Sequence, residues 1–455
     1  MIGSMSLQQV QAATGGVITG ANAEFSAASI DTRTIQPGDL FVAIKGPNFN
    51  GNQFVAVAAE KGASAVIVGE QVNIDLPALM VADTRTALGT IGAMNRNRVS
   101  ACVLGLTGSQ GKTTVKEMTG GILSQCDSVM MTSGNLNNEL GVPLSLLKID
   151  QHHKYAVIEM GANGPGDIAY SVALARPDIA HITCIAGTHL EGFGDLQGVA
   201  NGKSEIWAGI RENGTAVVNI DDVFAPQFVD QINALGRHLV TVSGSGNQRA
   251  DYFADDIQLD QFQGAAFTLN SPKGAVSINL QVPGKHNVNN AMAAAAMAMS
   301  AGAGLDAVKR GLEQFAAVKG RMCIISGMQG STLIDDSYNA SPASFRAAID
   351  VLAETKGSRI VVMGDMGELG SDAEKEHAGI GSYARQQGID CLIATGEMSA
   401  LAVSAFGDGG IFLKEREQFK DTIVPMLNAS TTVLIKGSRS QGMEKLVSQI
   451  QEDLQ

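Results

Sequence analysis

Short apolar runs alternate along this chain with stretches of helical period, and they fall into three successive groups. In the first group, Phe41–Ile44, Ala65–Val68 and Ala78–Val81 read as strands, with helices expected over Gln53–Lys61 and Thr86–Arg96. A second group opens at Ala101–Leu106, followed by a helix-like stretch Val115–Ser124, and continues through apolar strands at Tyr155–Ile158, Ile179–Ile185 and Ala216–Ile220. Strands alternating with helices predict a mostly parallel sheet, which places ligands at the carboxyl ends of its strands. Tyr252–Leu259, Gly264–Leu269 and Ala275–Leu280 alternate differently and predict antiparallel strands, a β-appendage on that parallel core. The third group runs strand Thr332–Asp335, helix Ser344–Ala353, strand Ile360–Met363, helix Glu374–Gln387, strand Cys391–Thr395, a helix around Ala400, strand Val433–Ile435 and a terminal helix Met443–Asp453. The expected fold class is therefore α/β in three domains. A small N-terminal α/β domain covers residues 1–98, a central parallel-sheet domain 99–318, and a C-terminal Rossmann-like domain 319–455.

A length of 455 residues agrees with more than one core. No uninterrupted apolar stretch reaches membrane-spanning length, and the start MIGSMSLQQV lacks a basic segment followed by an apolar one, so a cytoplasmic protein is expected. The net charge of −13 argues against general nucleic-acid affinity and requires local cations wherever an anionic substrate is held. Five scattered cysteines, Cys102, Cys126, Cys184, Cys323 and Cys391, contain no Cys-x-x-Cys pair and suggest buried thiols in a reducing compartment.

The chemistry concentrates at LTGSQGKTT, residues 106–114, between a strand and a helix. Gly108 and Gly111 free backbone N–H groups to close around phosphate, with Ser109 and Thr114 beside them; Lys112 supplies a charge at the β/γ end and Thr113 a hydroxyl for Mg²⁺. The common phosphate loop has a glycine where this chain has Leu106, so the loop is a shortened form. Other polar groups follow the predicted strand ends: Glu159, within reach of a Thr113-bound cation; His189, a candidate metal or phosphate contact; and Asp335-Asp336, Gly364–Glu368 and Lys436–Arg439 in the third group. Asn287 and Asn290 stand one helical turn apart at the head of an Ala/Met-rich helix and share a face that can meet a base or a phosphate. N-capping by Asn287 alone leaves Asn290 unexplained. Ser29, Asp31, Thr32, Arg33 and Lys45 gather hydroxyl and charged groups around a Pro37-Gly38 turn, which by itself reads as solvated surface, as does Lys203 after Gly202.

In order along the chain, TGSQGKTT, EMGANGPGDI, THLEGFGDL, NGKSEIW, GKHNVNNAMAAAA, KGRM, DDSYNASP, MGDMGELG and KGSR make a set that resembles the ATP-dependent Mur ligases of peptidoglycan precursor synthesis. The shortened glycine loop is that family's own form. The resemblance is strongest to the branch that adds D-alanyl-D-alanine to UDP-N-acetylmuramoyl-tripeptide. It implies that the N-terminal domain holds the UDP-sugar, with Ser29, Asp31, Thr32, Arg33, Lys45 and Asn48 in its contact region and Asn138 on the substrate side. It implies ATP on Gly108–Thr114, with Lys112 as a catalytic charge, Asn287 and Asn290 toward adenine, and Arg321 and Asp336 toward the γ-phosphate and ribose. Two Mg²⁺ ions are implied, Thr113 and Glu159 at the first and His189 near the second. Lys203 matches the lysine that the family carbamylates, which turns an ammonium into an oxygen ligand. A monomer is expected.

Two siblings and one unrelated class compete with this reading. The ligase adding the third-position diamino acid carries an Asp-Asn-Pro-Arg motif that is missing here, and MGDMGELG stands in that region. Folylpolyglutamate synthase follows its Gly-Lys with Gly-Ser, against Thr113-Thr114 here. A phosphate-loop ATPase or switch protein that forms no bond leaves Lys203, Asn290 and the C-terminal strand-end acids without roles.

Overall fold

Each of the three groups closes its own sheet in the computed structural model, which describes residues 1, 3–46, 49–260 and 264–452. The N-terminal five-stranded sheet runs Val17–Thr19, Ala78–Met80, Ala65–Val68, Leu40–Val42, Ala28–Ser29, parallel except for its first pair. Helix Thr84–Arg98 ends this unit and fastens it to the next. Asn95 Nδ2 donates to the carbonyls of Leu146 and Ile149 at 2.8 and 2.9 Å, while buried Arg96 donates to Ala175 O at 2.7 Å and pairs with Asp178. These bonds cap carbonyls at helix ends that burial would otherwise leave without partners.

The central nine-stranded sheet has Cys102–Thr107 near its middle, flanked by Tyr155–Glu159 on one side and Ile179–Ile182 on the other, all parallel. Chain order reverses there, opening a crevice at the carboxyl ends of those three strands. Val129–Met131 and His238–Ser243, which the sequence pattern did not single out, complete the parallel part. The antiparallel strands Tyr252–Asp260, Gly264–Ser271 and Gly274–Leu280 form as expected, and they extend the same sheet because Tyr252–Asp260 pairs in parallel with His238–Ser243. One face is covered by helix Lys112–Leu123 and by the Ala/Met helix Lys285–Ser300, whose residues Val288 and Ala291–Met299 are all buried. Small side chains there allow the helix to lie close on the sheet with no polar face left over.

The C-terminal sheet runs Cys323–Ser326, Thr332–Asp336, Thr431–Lys436, Ser358–Gly364, Cys391–Thr395, Gly410–Leu413, antiparallel only at the first pair. Insertion of the last strand between Thr332–Asp336 and Ser358–Gly364 makes a second switch point, which gathers Asp336, Lys436 and the 364–369 loop. The terminal helix spans Glu444–Ile450, and Asp453 lies outside the described residues. No helix among the described residues is long and apolar enough to cross a membrane.

Candidate active site

Helix Lys112–Leu123 begins at the lysine itself, three residues earlier than the apolar pattern indicates, so the loop 108–111 points the helix N-terminus at the crevice. Gly108 at φ 146° and Gly111 at φ 77° make this turn possible. A Cβ on Gly108 would lie 1.9 Å from Thr183 Oγ1, and one on Gly111 2.6 Å from Asn290 Oδ1. The loop is thus pressed on one side by the neighbouring strand's end and on the other by the asparagine helix. Gly108→Ala is expected to weaken ADP binding by roughly tenfold or more, since a strained φ and a clash together exceed about 1–2 kcal/mol; titration calorimetry reads the change.

Thr113 is the meeting point. Its Oγ1 donates to Glu159 Oε2 at 3.0 Å and accepts from Arg321 Nη2, which arrives from the far side of the interdomain join, at 2.9 Å. Glu159 is 2% exposed, yet it is well held: Asn137 Nδ2 donates to Oε1 at 2.7 Å, Thr132 Oγ1 accepts from its backbone N–H, and Lys116 Nζ stands 3.8 Å from Oε2. Lys116, 1% exposed, also donates to Thr132 O at 2.7 Å. The sequence reading missed it, although a lysine four residues after Lys112 on the same helix shares its face. Arg321 stacks on Tyr338, 4.3 Å from the ring centroid, and Arg439 approaches the same ring at 5.6 Å.

Lys112 Nζ donates to Gly108 O at 2.7 Å. Burial pushes this ammonium below its usual value, Glu159 opposes the shift and Arg321 adds to it. Lys203 sits in the last turn of helix Leu196–Ser204 and is 1% exposed, not the solvated lysine that its place after Gly202 suggests by itself. Its ammonium lies over the Phe193 ring at 5.7 Å. Burial first, then the charge of Lys112, lowers it to about 7. His189 adopts φ 55° at the head of Leu190–Phe193, and its Nδ1 stands 2.5 Å from Glu368 Oε2 of the C-terminal sheet's loop. The hydrogen bond from His189 holds the Glu368 carboxyl below its usual range.

Most of these groups line one cleft of about 600 Å³, among them Ser109, Lys112, Thr114, Asn138, Glu159, His189, Asn287, Asn290, Arg321 and Asp336. Asn287 and Asn290 are buried and linked, Asn290 Nδ2 donating to Asn287 Oδ1 at 3.1 Å, while the helix is capped by Gly284. Asp336 accepts from Met322 N and from buried Lys436. Lys203 does not line the cleft, and neither do Ser29, Asp31, Thr32 and Arg33. Arg33 is instead paired bidentately with Asp31, which that hydrogen bond lowers to about 2. Lys45 is nearer: its carbonyl accepts from Arg85, which also pairs with Glu139 on the cleft's rim. Asn48 lies outside the described residues.

The family models for the Mur ligase family catalytic domain, the Mur ligase middle domain and the Mur ligase glutamate ligase domain match residues 24–105, 106–298 and 320–439. The UDP-N-acetylmuramoyl-tripeptide–D-alanyl-D-alanine ligase of Escherichia coli K12 is 43% identical over 453 residues, covering 99% of each chain. Among solved structures, MurF from Acinetobacter baumannii superposes with a TM-score of 0.91 at 36% identity over 98% of each chain. MurF ligase from Thermotoga maritima, in complex with ADP, gives 0.82 at 26% identity over 93% of this chain and 96% of its own.

Proposed function

This chain belongs to the Mur ligase family, and from that membership we propose that it is the ATP-dependent ligase joining D-alanyl-D-alanine to UDP-N-acetylmuramoyl-tripeptide in peptidoglycan precursor synthesis. The observation that carries the reading is the junction at Thr113, where the phosphate loop, a strand-end carboxylate and an arginine from the C-terminal domain converge. The relatives identify which bond is made.

A carboxylate resists attack by an amine at neutral pH. The reaction therefore transfers the γ-phosphoryl group of ATP to the C-terminal carboxylate of the tripeptide. The D-alanyl-D-alanine amine then attacks the acyl phosphate, and phosphate leaves through a tetrahedral intermediate. Lys112 and Arg321 offset the charge that gathers on the transferring group, and loop 108–114 holds the β-phosphate end in register. We assign Asn287 and Asn290 to the adenine side and Asp336 to the ribose. Ser29, Asp31, Thr32, Arg33, Lys45, Asn48 and Asn138 fall to the UDP-sugar side; there Arg33 has to exchange Asp31 for the diphosphate. We keep domain boundaries near 98 and 319, between the three sheets, a cytoplasmic location, which the five free cysteines suit, and a monomer, since the residues assigned to the cleft all belong to one chain.

The donor set fits Mg²⁺. Thr113 and Glu159 present hard oxygens side by side and would hold the ion; no group of three acidic, histidine or cysteine side chains placed to hold a metal occurs among the described residues, so the nucleotide's phosphates and water would have to supply the remaining ligands. Bound there, Mg²⁺ neutralises phosphate charge and acts as a Lewis acid. His189 and a carbamylated Lys203 are assigned to a second ion. Burial supports that assignment, because only the free amine attacks CO₂, the proton being released as the carbamate forms, and an amine lowered to about 7 has a substantial free fraction at neutral pH, where an ordinary lysine has almost none.

The test is phosphate release from ATP with UDP-muramoyl-tripeptide. Release is expected to depend on D-alanyl-D-alanine and to be much weaker with single amino acids. Release independent of any amine returns the chain to the class of simple ATPases.

A further inference from the structure

We propose that Glu368 is a positioning residue for the ligation: carried on the C-terminal domain, it fixes the ring of His189 so that Nε2 is the nitrogen left to serve the cleft. The proposal rests on the reading that His189 holds a cation.

Three observations carry it. The contact is between domains and short, Nδ1 to Oε2 at 2.5 Å, and both residues line the cleft. Both also adopt left-handed backbone, φ 55° at His189 and 61° at Glu368, a conformation that strains side-chain-bearing residues and survives only where the surroundings enforce it. Lastly, the surroundings of Glu368 do enforce it. The Met366 N–H donates to Nε2 of fully buried His377 at 2.9 Å, Asp365 Oδ1 accepts from the backbone and hydroxyl of Ser399, and Asp365 O accepts from Ser438 N. Met366 and Leu369 are buried on either side, so an exposed carboxylate is presented by a pinned loop.

A half-exposed ion pair adds little to stability, so stability is a weak reason for strain on both partners. Orientation is a better one. A carboxylate that accepts from one ring nitrogen fixes the tautomer and plane of a metal-bound histidine and raises its basicity. Here that carboxylate is supplied by a different domain from the histidine. His189 also heads the short helix whose Phe193 lies under Lys203, so the same contact steadies both groups assigned to the second cation. The site is assembled only when the C-terminal domain is docked.

Mn²⁺ binding in the presence of ADP, followed by electron paramagnetic resonance, tests this in the full chain, with melting temperature as the control for folding. Glu368→Ala is expected to weaken one Mn²⁺ site by about 10–100-fold, the range for lost outer-shell partners. It should also lower kcat with KM for the tripeptide unchanged. Glu368→Gln, which keeps an acceptor oxygen, should recover most of both. Wild-type Mn²⁺ affinity in Glu368→Ala, beside loss of a site in His189→Ala, overturns the positioning role alone. Wild-type affinity in both variants overturns the assignment of a cation to His189 and the proposal with it.

Discussion

Lys203→Met is expected to cripple ligation yet to yield a protein that resists heat better than the parent. Activity is expected to fall by about 10²–10³-fold, the range for removing one preorganised charge-stabilising group. Stability at pH 7 is expected to rise by about 1–4 kcal/mol, as when buried charges give way to apolar side chains of similar volume. The reason lies in the surroundings: Lys203 is 1% exposed and sits over Phe193, among the buried apolar side chains of Val199, Ala200 and Ile206. An ammonium has no business there on grounds of stability.

The pH dependence follows from the same burial. Native Lys203 releases its proton near 7 and the unfolded chain near its ordinary 10.5. Between those values the unfolded state binds the extra proton, so wild-type stability climbs with pH across the window and approaches that of Lys203→Met at its upper end. Below about 7 both states are protonated and the full cost of the buried charge remains. Thermal melts of both proteins across this window measure the convergence. A parallel pair of melting curves argues that Lys203 is already neutral or carbamylated throughout. Added bicarbonate should not rescue Lys203→Ala, whereas a short-chain carboxylate should restore part of the phosphate release.

Lys203 also shows where reading the sequence stops. Its burial depends on Phe193 folding back beneath it, and nothing in NGKSEIW displays that; the lysine is indistinguishable there from a solvated one. The phosphate loop was legible because glycine spacing, the preceding strand and the following helix are all local. Glu159 was legible because parallel sheets put strand ends at one edge. Asn287 and Asn290 were legible as a pair because helical period alone places them together. Long-range contacts were not. Arg321 reaches Thr113 across 208 residues of sequence, and Lys116 finds Thr132 only because the three-residue strand Val129–Met131, too short to register as a pattern, ends beside it. The Ser29–Arg33 stretch displayed its charges in sequence but not their pairing: its arginine meets Asp31, two residues away, and does not line the cleft.

Lys112→Ala is expected to lower ATP-dependent phosphate release by about 10²–10³-fold, because Lys112, held on Gly108 O within the loop, is the cation assigned to the transferring group. A second, separable effect should appear at Lys203. The charge of Lys112 is one of the two causes that depress Lys203, so removing it leaves burial alone and moves the Lys203 titration upward. At neutral pH the variant then has less free amine, and less carbamate. Carbon-13 NMR with labelled bicarbonate can follow the carbamate signal in both proteins as pH is raised. The signal in Lys112→Ala should grow in at higher pH than in the parent. Identical curves mean that burial alone sets the amine, and that the two lysines serve the phosphoryl group independently. A displaced curve means that the cation which cradles the nucleotide also keeps its neighbour ready for CO₂, so that single substitutions at Lys112 and Lys203 are non-additive.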